Sequence, residues 1–361
     1  MKAAVCYAYD QPLSVEEVTL DPPQQGEVLV RIAAVAVCHS DLHRIRGDWK
    51  GRLPIVVGHE AAGIVETVGE GVTTVQSGDR VAVSMLRSCG RCAQCVAGAP
   101  YWCEGTFAIG PQSRLHNQQG VALLHGLNTA AFAEATVVDQ SQVVRVPDAL
   151  PLDRAALLAC GVITGVGAVV NTAQVRPGAN VVVIGTGGVG LNAVQGAALA
   201  GANQIIALDI LDPKLQTATA FGATATVNTA TTDARQAVRD LTQGRGADAV
   251  LVTVGNTDAI AQGLTLLRAG GTLVMVGLPR RDATVPVPAY EVVSKGQRIL
   301  GSFMGSSRLA IDVPWLADLY LQGRLKVDEL ITARYPLADI NTAIETMEHG
   351  AALRNVITFA A

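Results

Sequence analysis

The sequence predicts an α/β protein of two domains, one built on a partly closed β-barrel and one on a doubly wound parallel sheet. Three observations predict it. The first 150 residues carry short β-branched runs separated by turn residues, and from about Asp153 strands and helices alternate. The apolar content, 49% of the chain, is mostly Val, Ala, Leu and Ile, with only 4% aromatics, the composition of parallel strands covered by helices. At 361 residues the chain exceeds what one small core organises.

The run Met1-Lys2-Ala3-Ala4-Val5-Cys6 reads directly as a strand, without the apolar stretch and cleavage site of a secretory leader. Residues 28–32, 63–68 and 80–83 read as further strands, with turns at Val68-Gly69-Glu70-Gly71 and Gln76-Ser77-Gly78-Asp79. Strands so closely spaced suggest a barrel. In the second half, 180–184 is a fully apolar strand, 189–199 a helix and 204–208 the next strand. Strands at 249–254 and 271–276 follow, and this repetition builds a parallel sheet. Beyond Gly301 the pattern loosens, ending in a helix over 337–349 and a strand over 355–359 that are expected to rejoin the first domain. The expected domains are therefore 1–160 with 302–361, and 161–301.

A net charge of −4 without any basic block argues against nucleic acid or an anionic membrane as partner. No run of eighteen uninterrupted apolar residues occurs, so no membrane span is expected. Seven cysteines, an odd number, suit metal-bound thiolates in a reducing compartment better than a disulfide framework. A cytoplasmic location is expected.

After the strand at 180–184 comes Gly185-Thr186-Gly187-Gly188-Val189-Gly190, a G-x-G-x-x-G at a helix entrance. In that pattern the first glycine permits the turn, the second lets a pyrophosphate approach the backbone and the third lets helix and strand pack closely. The phosphates then meet the positive end of the helix. Asp209, nineteen residues beyond Gly190, ends the next strand. A carboxylate there accepts from a ribose diol and repels a 2′-phosphate, which favours NAD over NADP. Lys214 lies near enough to reach the ribose, or is simply solvated.

The seven cysteines divide their labour. Cys89, Cys92, Cys95 and Cys103 form C-x2-C-x2-C-x7-C, a spacing that closes four thiolates around one structural Zn2+. Gly90, Gly98 and Pro100 interrupt the run, leaving little core in which unligated thiols could hide. Cys38, His59 and Cys160 are scattered, and each alone reads equally as a small core residue or a hydrogen-bonded histidine. Together they offer three ligands and an open position, the form in which zinc is held for chemistry. Glu60 adds a carboxylate beside the metal, and Asp41 could fix the tautomer of His59 from behind. Cys6, His116, His125 and His349 have no motif around them and read as structural or surface residues.

With Cys38-x-Ser40-x-x-His43, Gly58-His59-Glu60-Ala61-x-Gly63, the four-cysteine lobe (about 87–104), Cys160-Gly161, Thr164-Gly165, the glycine motif and Asp209, the chain resembles the zinc-containing medium-chain alcohol dehydrogenases over essentially its whole length. The resemblance implies a GroES-like barrel domain interrupted by a Rossmann domain. It implies two zinc ions per chain, the catalytic one on Cys38, His59 and Cys160 with Glu60 able to exchange onto it. Ser40 and His43 would relay a proton through the nicotinamide ribose. Thr164 and Val189 would border the nicotinamide, and Arg354 would meet the pyrophosphate. His39 stands where many relatives carry arginine, which would weaken the hold on NADH.

Alignment with that family sets Trp49 and Met85, with Ser40, around the substrate, so neutral primary alcohols and aldehydes, aliphatic or benzylic, fit best. The thiol-dependent formaldehyde dehydrogenases of the family are the alternative. Gly47 and Trp49 replace their acidic pair poorly, while Arg87, Arg91 and Arg114 leave that reading open. A zinc-stabilised protein without activity is a more distant alternative, and it predicts one zinc per chain. Residues 105–131 form a long connection, which in the family accompanies dimers, so a homodimer is expected, with a tetramer as the alternative.

Overall fold

A computed structural model describes residues 1–110, 112–350 and 352–360. The chain divides into two compact units, Met1–Gly161 with Arg308–Ala361, and Val162–Ser307. The C-terminal segment thus rejoins the first unit at Arg308 rather than at the expected residue 302.

In the first unit, Lys2–Cys6, Ser14–Leu20, Leu115–Asn117, Ala122–His125 and Ile55–Val56 close a five-stranded barrel. Of the first-half strands read from sequence, Lys2–Cys6 lies in this barrel and the other three lie elsewhere. Glu60–Val68, Glu27–Ala36 and Arg80–Val83 belong to a second, seven-stranded sheet with Val143–Arg145, Ala135–Asp139, Arg354–Thr358 and Ile331–Pro336. Strand-like composition finds strands, but which of them pair depends on long-range register. Two barrel strands, Leu115–Asn117 and Ala122–His125, come from the stretch taken as a connection, because three- and four-residue strands leave no periodic trace. The core joins both sheets through buried Val5, Ile32, Val57, Leu115, Phe132 and Ile357.

Several helices were not read from the sequence, two long ones among them. Leu309–Leu321 packs against Val143–Arg145, and Pro314 inside it hides the helical pattern. The helical run Leu152–Ala173 is long and apolar enough to cross a membrane by composition, but 83% of its most apolar window is buried inside the protein. It is a core helix, interrupted by two π-helical turns, Leu158–Val162 and Ala168–Ala173.

The second unit is a six-stranded parallel sheet in the order Ala225–Asn228, Gln204–Asp209, Asn180–Ile184, Ala247–Val252, Leu267–Met275, Arg298–Gly301. Counted along the chain this is 3-2-1-4-5-6, the order of dinucleotide-binding doubly wound sheets. Asn180–Ile184 is buried along its whole length, as its apolar run requires, and helix Gly188–Leu199 follows it.

Candidate metal centre and dinucleotide site

In the first unit, Cys38 ends an extended run and caps helix His39–Arg46, with φ −125° and ψ 154°. Asp41, in the first turn, is fully buried. Its Oδ2 accepts from the Cys38 N–H at 3.1 Å and its Oδ1 from the Gly58 N–H at 2.9 Å. His59 Nδ1 lies 3.0 Å from that same Oδ1. A carboxylate only accepts, so Nδ1 carries a hydrogen and Nε2 is the nitrogen that a metal would take. Nε2 lies 3.2 Å from Cys160 Sγ. Gly58 is fixed by space and conformation: its φ is +93°, and an added Cβ would stand 2.6 Å from the Phe132 nitrogen. Cys160 comes from the π-helical turn Leu158–Val162, the kind of irregularity that re-aims a side chain at a functional site.

The donor atoms of Cys38, His59 and Cys160 lie within 4.8 Å of one another, and all three residues are buried. Their hydrogen bond to each other divides the two thiols. It draws Cys38 well below the usual thiol range, assisted by His59 and opposed by burial, and with burial it pushes Cys160 well above. Burial presses His59 toward neutrality, but Asp41 and then Cys38 outweigh it and raise the imidazole well above its usual value. A divalent cation at this point would favour the ionised form of both thiols. Two soft thiolates and one imidazole, buried and converging, suit Zn2+.

Glu60, counted among the metal ligands from sequence, is not one of the three converging donors. Its Oε1 accepts from the Gly161 N–H at 3.1 Å and sits 3.4 Å from Arg354 Nε. Its Oε2 is buried without a partner among the described residues. Burial, against the pull of Arg354, raises this carboxyl to about 7. Arg354, expected on the pyrophosphate, is 3% exposed, and its Nη1 also donates to the Leu353 carbonyl at 3.0 Å. A buried carboxylate needs a fixed charge beside it, and Arg354 supplies that charge.

In the lobe, Cys89, Cys92, Cys95 and Cys103 bring their sulfurs within 4.8 Å of one another, and none of the seven cysteines is in a disulfide. Backbone N–H groups converge on the sulfurs: Cys89 and Gly105 on Cys103, Cys92 on Cys89, and Glu104 on Cys92, at 3.2–3.5 Å. The backbone bonds bring Cys92 down to about 6, while burial first and then Cys92 push Cys95 up to about 12. Cys92 and Cys103 sulfurs stand 3.9 Å apart. Two thiolates each ~2.3 Å from one tetrahedral zinc would be about 3.8 Å apart, so the group fits.

In the second unit, Gly187 caps helix Gly188–Leu199 without any side-chain cap, and an added Cβ there would meet nothing within 4 Å. That is an open cradle at a helix N-terminus, suited to a phosphate. Gly190 answers the opposite demand, since a Cβ would stand 1.9 Å from the Gly185 carbonyl oxygen. Asp209 does more than await a ribose: its Oδ2 accepts from Thr186 N–H at 2.8 Å and Thr186 Oγ1 at 3.0 Å. Its Oδ1 accepts from Ile210 and Leu211 N–H at 2.8 and 3.2 Å. Thr186, fully buried, occupies an unspecified position of the glycine motif, and only its hydroxyl could have signalled the contact. Thr164 donates toward Met304 Sδ at 3.7 Å, and Val189 and Lys214 are half-buried on their helices.

Ser40 and His43 are three residues apart on helix His39–Arg46, hence neighbours on one face, and His39 is exposed at its start. Trp49 stacks on His43, ring centroids 4.7 Å apart, a contact the sequence did not reveal. Met85 is half-buried and its carbonyl accepts from Asn128 Nδ2 at 3.2 Å. Asp48, which lies against His43, was also missed, because it follows the helix and no periodicity reaches it.

Comparison with known proteins gives the chemistry a family. Residues 24–148 match the sequence profile of the alcohol dehydrogenase GroES-like domain, and residues 188–320 that of zinc-binding dehydrogenases. The chain is 38% identical to the NDMA-dependent alcohol dehydrogenase of Amycolatopsis methanolica, covering 100% of this chain and 99% of that protein. It is 38% identical to S-(hydroxymethyl)glutathione dehydrogenase of Saccharomyces cerevisiae, over 98% and 95%. The crystal structure of benzyl alcohol dehydrogenase from Acinetobacter calcoaceticus superposes with a TM-score of 0.93 at 31% identity, over 99% of both chains. On these matches, the chain belongs to the zinc-dependent medium-chain alcohol dehydrogenase family.

Proposed function

We propose that this enzyme interconverts neutral primary alcohols, aliphatic or benzylic, and their aldehydes, with NAD in preference to NADP and two zinc ions per chain. The observation that carries the reading is the convergence of Cys38, His59 and Cys160, with His59 held by Asp41 in the tautomer that ligates through Nε2. These three residues hold the catalytic ion, and Cys89, Cys92, Cys95 and Cys103 hold the structural one. When bound, the catalytic zinc supplies Lewis acidity toward a hydroxyl oxygen, and NAD supplies the hydride acceptor. The protein's own residues move the proton. Ser40 Oγ takes it from the substrate hydroxyl, and His43 Nε2, on the same helical face, serves as the terminal base. Glu60, its Oε2 without a partner among the described residues, is the buried carboxylate closest in sequence to the ligand set. Asp209 favours NAD by accepting ribose hydroxyls and repelling a 2′-phosphate.

Trp49 and Met85 offer large apolar surfaces, and the likeness to a benzyl alcohol dehydrogenase supports an aromatic or aliphatic substrate. The name of the yeast relative favours a second reading, oxidation of a thiol–formaldehyde adduct. Two of the three arginines that kept that reading open are otherwise engaged. Arg114 is buried on Glu27 and Gln24, and Arg87 donates to Gln142 and to the Ile109 and Asn128 carbonyls. We further propose a homodimer, to be checked by light scattering. The function itself is tested by following NADH absorbance across a panel of alcohols, with zinc quantified per chain. Turnover of benzyl or short aliphatic alcohols with two zinc ions supports the reading, and a rate that rises only when glutathione is added overturns it for the second.

A further inference from the structure

We infer that Asp48 is a positioning residue, holding His43 in the tautomer whose Nε2 accepts the proton; this rests on the reading of His43 as the terminal base. Helix His39–Arg46 ends at Gly47, whose φ of 81° and ψ of 16° reverse the chain. The reversal folds the next two side chains back over the last turn. Asp48 Oδ2 stands 2.8 Å from His43 Nδ1. Trp49 stacks on the imidazole at 29°, and the Trp49 backbone N–H donates to the His43 carbonyl at 3.1 Å. The loop is pinned from two sides: Arg44 Nη1 donates to the Trp49 carbonyl at 2.6 Å, and the Gly51 N–H donates to the Tyr9 hydroxyl at 2.7 Å.

An ionised carboxylate cannot donate, so Nδ1 carries the hydrogen and the lone pair is left on Nε2. When Nε2 takes a proton, Nδ1 keeps its own, and the new positive charge lies against a carboxylate and under an indole face. The imidazole is 33% exposed, so that proton has a route from Nε2 to water. The other charged side chains of this helix have separate work. Asp41 holds Cys38, Gly58 and His59, and Arg46 pairs with Asp10 and Glu348. This is the arrangement of a base and its orienting acid, assembled from a helix end and the two residues that follow its reversal.

The test is a cycle of Asp48→Ala, His43→Gln and the double variant, measured in zinc-loaded enzyme, with side-chain 15N NMR of His43. In wild type the ring is protonated at Nδ1, and in Asp48→Ala the signal moves toward the Nε2-protonated tautomer. Asp48→Ala lowers kcat roughly two- to fivefold, the range open to an exposed charged pair, with KM for the alcohol unchanged. In the His43→Gln background the same change costs nothing, and Asp48→Glu restores part of the single-variant loss. Equal loss in both backgrounds, or an unmoved 15N signature, overturns the inference while leaving His43 as the base. A His43→Gln enzyme as fast as wild type overturns the base reading, and the role of Asp48 with it.

Discussion

Replacing Asp41 by asparagine tests whether the catalytic ligand set is organised from behind. Three donors converge on this fully buried carboxylate: the Cys38 N–H at 3.1 Å, the Gly58 N–H at 2.9 Å and the His59 Nδ1–H at 3.0 Å. An amide has the same shape but only one oxygen. Its least costly orientation leaves that oxygen on Gly58 and His59 and turns the NH2 against the Cys38 N–H. One buried donor then loses its partner, at a cost of about 1–3 kcal/mol, and His59 loses the negative charge that strengthens it as a ligand. Loss of such outer partners weakens metal binding by roughly 10- to 100-fold. The lobe serves as an internal control, since its four cysteines do not touch Asp41. In a titration with a chromophoric chelator, one zinc per chain should be released at ten- to hundredfold lower chelator concentration than in wild type, while the second is retained. Activity should fall with the first zinc and return with excess metal. Two zinc ions held as in wild type, with unchanged turnover, would refute the reasoning.

Three further outcomes follow from the geometry. Cys38→Ser and His59→Ala should each abolish turnover while NAD still binds, measured by NADH fluorescence titration; turnover within tenfold of wild type would exclude these residues as ligands. Asp209→Ala removes the acceptor of four hydrogen bonds around the glycine turn. It should narrow the ratio of kcat/KM for NAD over NADP by roughly 10- to 100-fold, the weight of charge-assisted bonds, and an unchanged ratio would remove Asp209 from cofactor choice. His125 has both ring nitrogens buried without partners among the described residues, and burial, then Arg87, hold it down at about 3. A histidine depressed in the folded state binds its proton only on unfolding, so it costs stability as pH falls from about 6.5 toward 3. His125→Phe should therefore flatten the acid limb of stability by about 1.4 kcal/mol per pH unit in that window, seen by denaturant unfolding at several pH values. Parallel curves for the two proteins would count against it.

Much of this protein lies in short-range spacing. Two residues between cysteines, a glycine pattern at a strand end and an apolar run such as Val181–Ile184 are set by local chain geometry, so each could be read before any fold was known. The proximity of Asp41 to His59 also followed, because family motifs carried both. Arg354 and Glu60 did not: burying a carboxylate demands a charge, and which charge answers depends on how a C-terminal strand returns beside it.

Sequence alone thus determined the two grammars, the four-cysteine lobe and the glycine turn, because short spacing along the chain or periodicity within one element suffices for each. Only tertiary structure decided which strands close the barrel, that Cys160 rides on a π-helical turn of an apolar core helix, and that Asp48 and Thr186 lie against His43 and Asp209. Those contacts arise where the chain reverses or where distant segments pack, and no local pattern records the partner that packing will bring.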